Sequence, residues 1–387
     1  MNSAIQGIIL LIKSAITGEC YTLPEDFSWE SAEALIKKNN AFQICFAGAI
    51  NCGIAEQLPN FEQMQEDYCI YYMGSQRQLE QADRVFQALG EKGLDYLPIK
   101  GCLTKMLYPS HEMRPMGDAD VLIHQEQYPK IREVMMELGF QEIPDCSDFD
   151  YTWEHPDLKI ELHKYLFSPE FSDYFRYFDS IWSRAKEGNH CRWELSIEDT
   201  FIYDFTHFAK HFRYGGIGCN HAVDLWVYRR AYPNMDEKYI RQEMEALGMA
   251  EFYENICQLL CAWFEDGLWN ETTQLLTNLL FGGKWGSSEN FRIAQTVKIM
   301  QEENTDVKSS RMRHILHLIF PSKKNISLSY PKLTKWPLPF AWIARWIFIL
   351  LFKRKNIQSQ SEKLKHSDEQ VLRRKEELES VGIKFSK

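Results

Sequence analysis

Apolar and polar positions follow three successive rhythms along the chain. Up to about residue 90 the spacing is helical: Trp29, Ala32, Leu35 and Ile36 fall on one helix face, and a long, Gln- and Glu-rich amphipathic stretch runs from Phe61 to Leu89 before Gly93 breaks it. The run Ile8–Ile12 is closed by Lys13, has no basic residue before it, and is followed by Glu19-Cys20. It therefore predicts the first helix of a soluble protein rather than a secretion or lipoprotein signal. From Leu94 the pattern turns mixed. Tyr96–Ile99 is a short strand candidate that ends at Lys100-Gly101, and a helical segment continues to Leu107. The turn-rich Tyr108–His111 leads to a second strand candidate, Ala119–His124. Tyr128, Ile131, Val134, Met135 and Leu138 mark an amphipathic helix stopped by Gly139. Two further strand-like runs, Phe149–Glu154 and Leu158–Leu166, are joined by a hairpin turn at His155-Pro156-Asp157. Together these form an α/β block of about seventy residues.

Helical spacing then returns, with an apolar stripe of Phe201, Phe205, Phe208 and Phe212 behind a Ser196/Asp199 start box. Helices are expected to about residue 318. The tail holds Pro331, Pro337 and Pro339, an apolar piece, and a charged helix from about 361 to 380. The expected division is a helical region over 1–90, an α/β core over 91–167, a helical domain over 168–320 and a tail over 321–387.

Composition narrows the function classes. A hydrophobic fraction of 45% with 14% aromatics provides for a packed core. A formal charge of −10 disfavours a long nucleic-acid substrate, whose phosphates call for a basic surface. The ten cysteines include no Cys-x-x-Cys pair, and thiols scattered in this way fit a reducing cytoplasm. Cys257 and Cys261, one helical turn apart, are expected to be small buried side chains. The segment Phe340–Phe352 contains Arg345 and is too short to span a bilayer. With Trp342, Trp346 and Lys353-Arg354-Lys355 it has two readings: peripheral membrane contact through 340–355, or a tail helix docked on the body.

The candidate chemistry lies in the α/β block. In Met116-Gly117-Asp118-Ala119-Asp120-Val121-Leu122-Ile123, strand alternation projects Asp118 and Asp120 to one face. Two adjacent carboxylates with apolar neighbours repel, and a hard divalent cation such as Mg²⁺ relieves that repulsion. Glu161, flanked by Ile160 and Leu162 on another strand candidate, can complete a cluster able to hold two ions for an in-line displacement. The alternatives are a solvated turn for the two aspartates and a surface ion pair with Lys159 or Lys164 for Glu161. Lys100, Gly101 and Cys102 sit where a strand end meets a helix start, which suits phosphate. Lys100 is otherwise a solvent-facing lysine. Arg114 is either a phosphate ligand or the partner of Glu112. His163 shares the Glu161 face, either positioning substrate or supporting the acids. His207, Lys210 and His211, with Asp204 on the same helical edge and Asp224 further on, form a possible wall of the substrate cleft, ordinary helix packing, or, with His221, a zinc site.

The order of these motifs resembles the polymerase-β-like nucleotidyltransferase superfamily. The closer likeness is to the bacterial uncharacterised nucleotidyltransferase family. The residues that carry it are Ile99-Lys100-Gly101, Tyr108-Pro109, Arg114 followed by Gly117-Asp118-Ala119-Asp120-Val121-Leu122, Glu161-Leu162-His163, His207-Phe208-Ala209-Lys210-His211 and Asp224-Leu225. The resemblance implies an α+β fold: a mixed-sheet nucleotidyltransferase core with helical N- and C-terminal additions. It also implies magnesium-dependent transfer of a nucleotidyl group from a nucleoside triphosphate to an acceptor hydroxyl on a small molecule or protein, with release of pyrophosphate. Cys102 stands where the superfamily has Ser or Gly, and the interval from Gly101 to Asp118 is longer than in minimal members. These departures motivate an alternative on the same fold, a catalytically weak nucleotide-binding regulator or toxin–antitoxin partner.

Overall fold

The computed structural model describes residues 2–143, 149–169, 171–282, 288–323, 326, 333, 335–352 and 368–384. The fold is α+β: along the chain, a five-stranded mixed sheet follows a helical N-terminal region and precedes a helical C-terminal region. Its strands are β1 (Tyr96–Ile99), β2 (Ala119–Ile123), β3 (Gln141–Ile143), β4 (Asp150–His155) and β5 (Leu158–His163), in the spatial order β1-β2-β5-β4-β3. Only the β2–β5 pair is parallel. The hairpin turn falls where expected, because His155 pairs with Leu158 and leaves Pro156-Asp157 as a two-residue loop. β5 stops at His163, three residues short of the expected run. β3 was not anticipated, since three residues are too few to display an alternation.

Alternation sorts the sheet into two chemically distinct faces. Val121, Ile123, Trp153, Leu158, Ile160 and Leu162 pack into one core with Val85, Phe86 and Leu89 of the Phe61–Glu91 helix and Ile131, Val134 and Met135 of the Tyr128–Glu137 helix. Burying one such side chain contributes about 1.5–3 kcal/mol. The interleaved positions, Asp120 on β2 and Glu161 and His163 on β5, are thereby turned to the opposite face.

At the N-terminus, the Ser3–Thr17 and Phe42–Asn51 helices cross at Gly48. A Cβ there would lie 2.0 Å from the Leu11 carbonyl oxygen, so the backbone contact requires glycine. The start box is realised, as the Asp199 N–H donates to Ser196 Oγ at the head of the Ile197–Tyr214 helix.

The chain forms two compact units. One comprises 1–208, 218–247 and 254–283 and contains the sheet; the other comprises 209–217, 248–253 and 284–387. In the second unit the Ser288–Glu303, Val307–Ile319 and Asp368–Ser380 helices pack together, with Val371 and Leu378 buried. The charged tail helix begins at Asp368; the earlier part of its expected span, 361–367, lies outside the described residues, as do Lys353-Arg354-Lys355. The nine described cysteines are free thiols, and Cys146 lies outside the described residues. Cys257 and Cys261 are only partly buried, contrary to expectation, because their helix turns them toward its boundary with solvent.

Candidate active site

Register brings the acids together. The parallel β2–β5 ladder sets Asp120 beside Glu161, and the antiparallel β1–β2 ladder sets Ile99 beside Asp120. Lys100, the first residue beyond β1, thus arrives next to Asp120 and donates to its Oδ1 at 2.7 Å. His163 Nε2 meets the same oxygen at 2.7 Å. The Lys159 ammonium lies between the other two acids, 2.7 Å from Glu161 Oε1 and 3.4 Å from Asp118 Oδ2. The surface pairing anticipated for Lys159 with Glu161 does form, and it extends to Asp118.

Lys100 is held in an unusual backbone conformation, φ 51° and ψ −123°, a region that favours glycine. Strain of this kind costs roughly 1–3 kcal/mol and persists only where surrounding contacts enforce it. The buried ion pair with Asp120 is such a contact. Burial acts against the Lys100 charge, and the Asp120 carboxylate more than restores it. In Asp120 burial acts to raise the pKa, but Lys100 and His163 hold the carboxyl far below the usual carboxylate range. Asp118 goes the other way, raised by burial and by the neighbouring charges of Asp120 and Glu161.

A second polar network lies behind the Lys100-Gly101-Cys102 turn. Arg114 forms a two-pronged pair with Asp224, Nε to Oδ1 at 2.9 Å and Nη2 to Oδ2 at 3.0 Å, and Tyr108 donates to the same carboxylate. Arg114 does not pair with Glu112, which instead accepts from Tyr68 and Ser110. The remaining arm of Arg114 lies over Gly101, where a Cβ would meet Nη1 at 3.0 Å. Asp224 therefore belongs with Arg114 and Tyr108. Asp204 accepts from Thr104, and burial together with the charge of Asp224 pushes its pKa up to about 7. Burial lowers His221 to about 4. Cys102 packs against the core, and burial raises its thiol to about 12, so it stays protonated. His207 lies against the Tyr203 ring, at 6.3 Å between centroids. Lys210 and His211 cluster with the second unit.

Sequence reasoning misses two residues here: Lys159, which it weighs only as a competitor for Glu161, and Asp150. Asp204, on the helical edge of His207 and His211, interrupts an apolar run, Phe201-Ile202-Tyr203-Asp204-Phe205, which is a readable signal of a buried charge. Asp150, buried opposite His163 on β4, carried no such signal.

Ligand atoms of Asp120, Glu161 and His163, two carboxylates and one imidazole, lie within 4.8 Å of one another, a grouping that could hold a metal ion. A positive group already sits between Asp118 and Glu161 in the form of the Lys159 ammonium, which marks a place where these carboxylates share a cation.

Next to the turn, a cavity of about 660 Å³ opens at the β1 edge. Ile99, Cys102 and Tyr203 line it on the site's side, and Phe86, Trp193 and Tyr228 make much of the remaining wall aromatic. The Tyr203 hydroxyl is fully buried and has no acceptor among the described residues.

The model of a family described as "Uncharacterised nucleotidyltransferase" matches residues 25–265. No curated protein and no solved structure gave a match.

Proposed function

The chain belongs to the uncharacterised nucleotidyltransferase family, and from that premise we propose that it transfers a nucleotidyl group from a magnesium-bound nucleoside triphosphate to an acceptor hydroxyl. The observation that supports this most is the alignment of Asp120 with Glu161 across the parallel β2–β5 ladder, with Asp118 reaching the same Lys159 ammonium as Glu161. In the proposed reaction the acceptor oxygen loses its proton to the Glu161 carboxylate and bonds to the α-phosphorus. The bond to the bridging oxygen breaks, and pyrophosphate leaves.

Asp118, Asp120 and Glu161 would hold two magnesium ions, which supply charge neutralisation on the phosphates and on the attacking oxygen. Lys100 is the counter-charge of Asp120 and would serve as a point charge for the triphosphate. Gly101 lets the chain approach a phosphate closely, with Arg114 behind it. Cys102, protonated and packed in the core, shapes the turn and contributes little to phosphate binding. His163 fixes the orientation of Asp120.

The aromatic cavity beside Cys102 and Tyr203 supports an acceptor with an apolar or aromatic body and a free hydroxyl, a small molecule or a protein side chain. A long nucleic acid is disfavoured by the overall charge of −10.

Metal binding tests the reading without any knowledge of the acceptor. Free Mn²⁺, followed by its EPR signal, should be taken up by wild type, and more tightly with a non-hydrolysable triphosphate analogue. Asp118→Asn with Asp120→Asn should abolish the uptake. Equal uptake by the variant would contradict the assignment.

A further inference from the structure

We propose that the second unit docks on the surface of an anionic lipid bilayer through the exposed apolar stripes of its Val307–Ile319 and Leu338–Phe352 helices. Charge distribution is the first observation. Residues 307–361 contain eleven Lys and Arg and no Asp or Glu, in a chain whose formal charge is −10. Arg311 and Arg313 pair with Asp368 and Glu303 within the chain, and the excess of one sign in the rest of the block points to a partner of the opposite charge. Lys308, Lys323 and Lys335 are exposed on the described part of this block.

The second observation is apolar. On the Leu338–Phe352 helix, Phe340, Ile343 and Ile347 follow i, i+3, i+7 spacing and are 59%, 57% and 53% exposed. Arg345 stands two residues from both isoleucines, hence on the opposite side of the helix, where its guanidinium lies 5.2 Å from the Trp346 ring centroid. The stripe thus carries no charge along its length. Trp342 and Trp346 anchor the helix to the end of its neighbour, their indole N–H groups donating to the Pro321 and Ile319 carbonyls. That neighbour has its own exposed row, Met312, Leu316 and Phe320, and Phe320 touches Trp342 edge-on. Trp336, exposed beside Lys335, supplies the aromatic-and-basic pairing that suits a headgroup region.

The helix has 15 residues and is about 22 Å long, against roughly 30 Å of hydrocarbon. Among the described residues no helix is long and apolar enough to cross a membrane. A helix lying in the interface uses both the stripe and the surrounding lysines, whereas a nucleic acid would use only the charge.

Flotation of the full chain tests it. Wild type should float with mixed phosphatidylcholine–phosphatidylserine vesicles at least about tenfold more than with phosphatidylcholine alone, and less as salt rises. Ile343→Asp with Ile347→Asp should reduce that binding at least about tenfold while the melting temperature stays unchanged, since both side chains are exposed. Should that variant misfold, Lys323→Glu with Lys335→Glu provides a second reading: it should weaken the phosphatidylserine dependence. Absence of flotation by wild type, or binding unchanged in a folded aspartate variant, overturns the proposal. So does wild type that stays off vesicles but self-associates through the stripe, seen as a dimer in size exclusion that the aspartate variant loses.

Discussion

Lys100 concentrates the physics of the site in one residue. Its backbone adopts a conformation that glycine would take without cost, and its ammonium is held by a carboxylate that is itself nearly buried. Asp118 and Asp120, two residues apart, are driven in opposite directions: Lys100 and His163 outweigh burial at Asp120, whereas burial and the neighbouring acids outweigh Lys159 at Asp118. Asp204 shows the same rule without a cation of its own. Burial and Asp224 raise its pKa from 3.8 to about 7, so its neutral form is favoured in the folded chain. Its contribution to stability is complete below the ordinary aspartate pKa and is lost as pH rises to about 7. The span corresponds to on the order of 4 kcal/mol. Asp204→Asn should therefore gain stability over wild type progressively between pH 4 and pH 7, as read by thermal melts across that range. A difference that stays flat with pH would refute the assignment.

Among the elements, β2 and β5 make the site and the Ser3–Thr17/Phe42–Asn51 helix pair makes the N-terminal scaffold. Gly48→Ala brings a methyl against the Leu11 backbone and should cost about 1–3 kcal/mol, lowering the melting temperature by several degrees. An unchanged melt would mean that the two helices separate freely. Much of this level was legible in the sequence. Alternation around Asp118–Ile123 and Lys159–His163 gave the strands, and Pro156-Asp157 gave the turn, because both signals are local. The partner of Arg114 was not legible: Asp224 lies 110 residues away, while Glu112 was near and tempting. β3 escaped because three residues carry no period. In the sequence Lys159 is only a competitor for Glu161, since one sequence does not reveal that a lysine can occupy the place of a cation.

At the scale of the whole molecule, charge and chemistry are segregated. The unit that contains the sheet carries the acids, the strained lysine and the aromatic cavity, and the basic block 307–361 belongs to the other unit. The family match over 25–265 covers the sheet and the candidate site and stops short of that block. Nucleotidyl transfer by the three carboxylates is tested by release of pyrophosphate and movement of label from each α-labelled nucleoside triphosphate with Mg²⁺, in lysate of the native host, for wild type and for Asp118→Asn with Asp120→Asn. Wild type should release pyrophosphate and label an acceptor, and the variant should lose at least about a hundredfold of that activity. Wild type that consumes no triphosphate, or a variant that labels the same acceptor at the same rate, would contradict it.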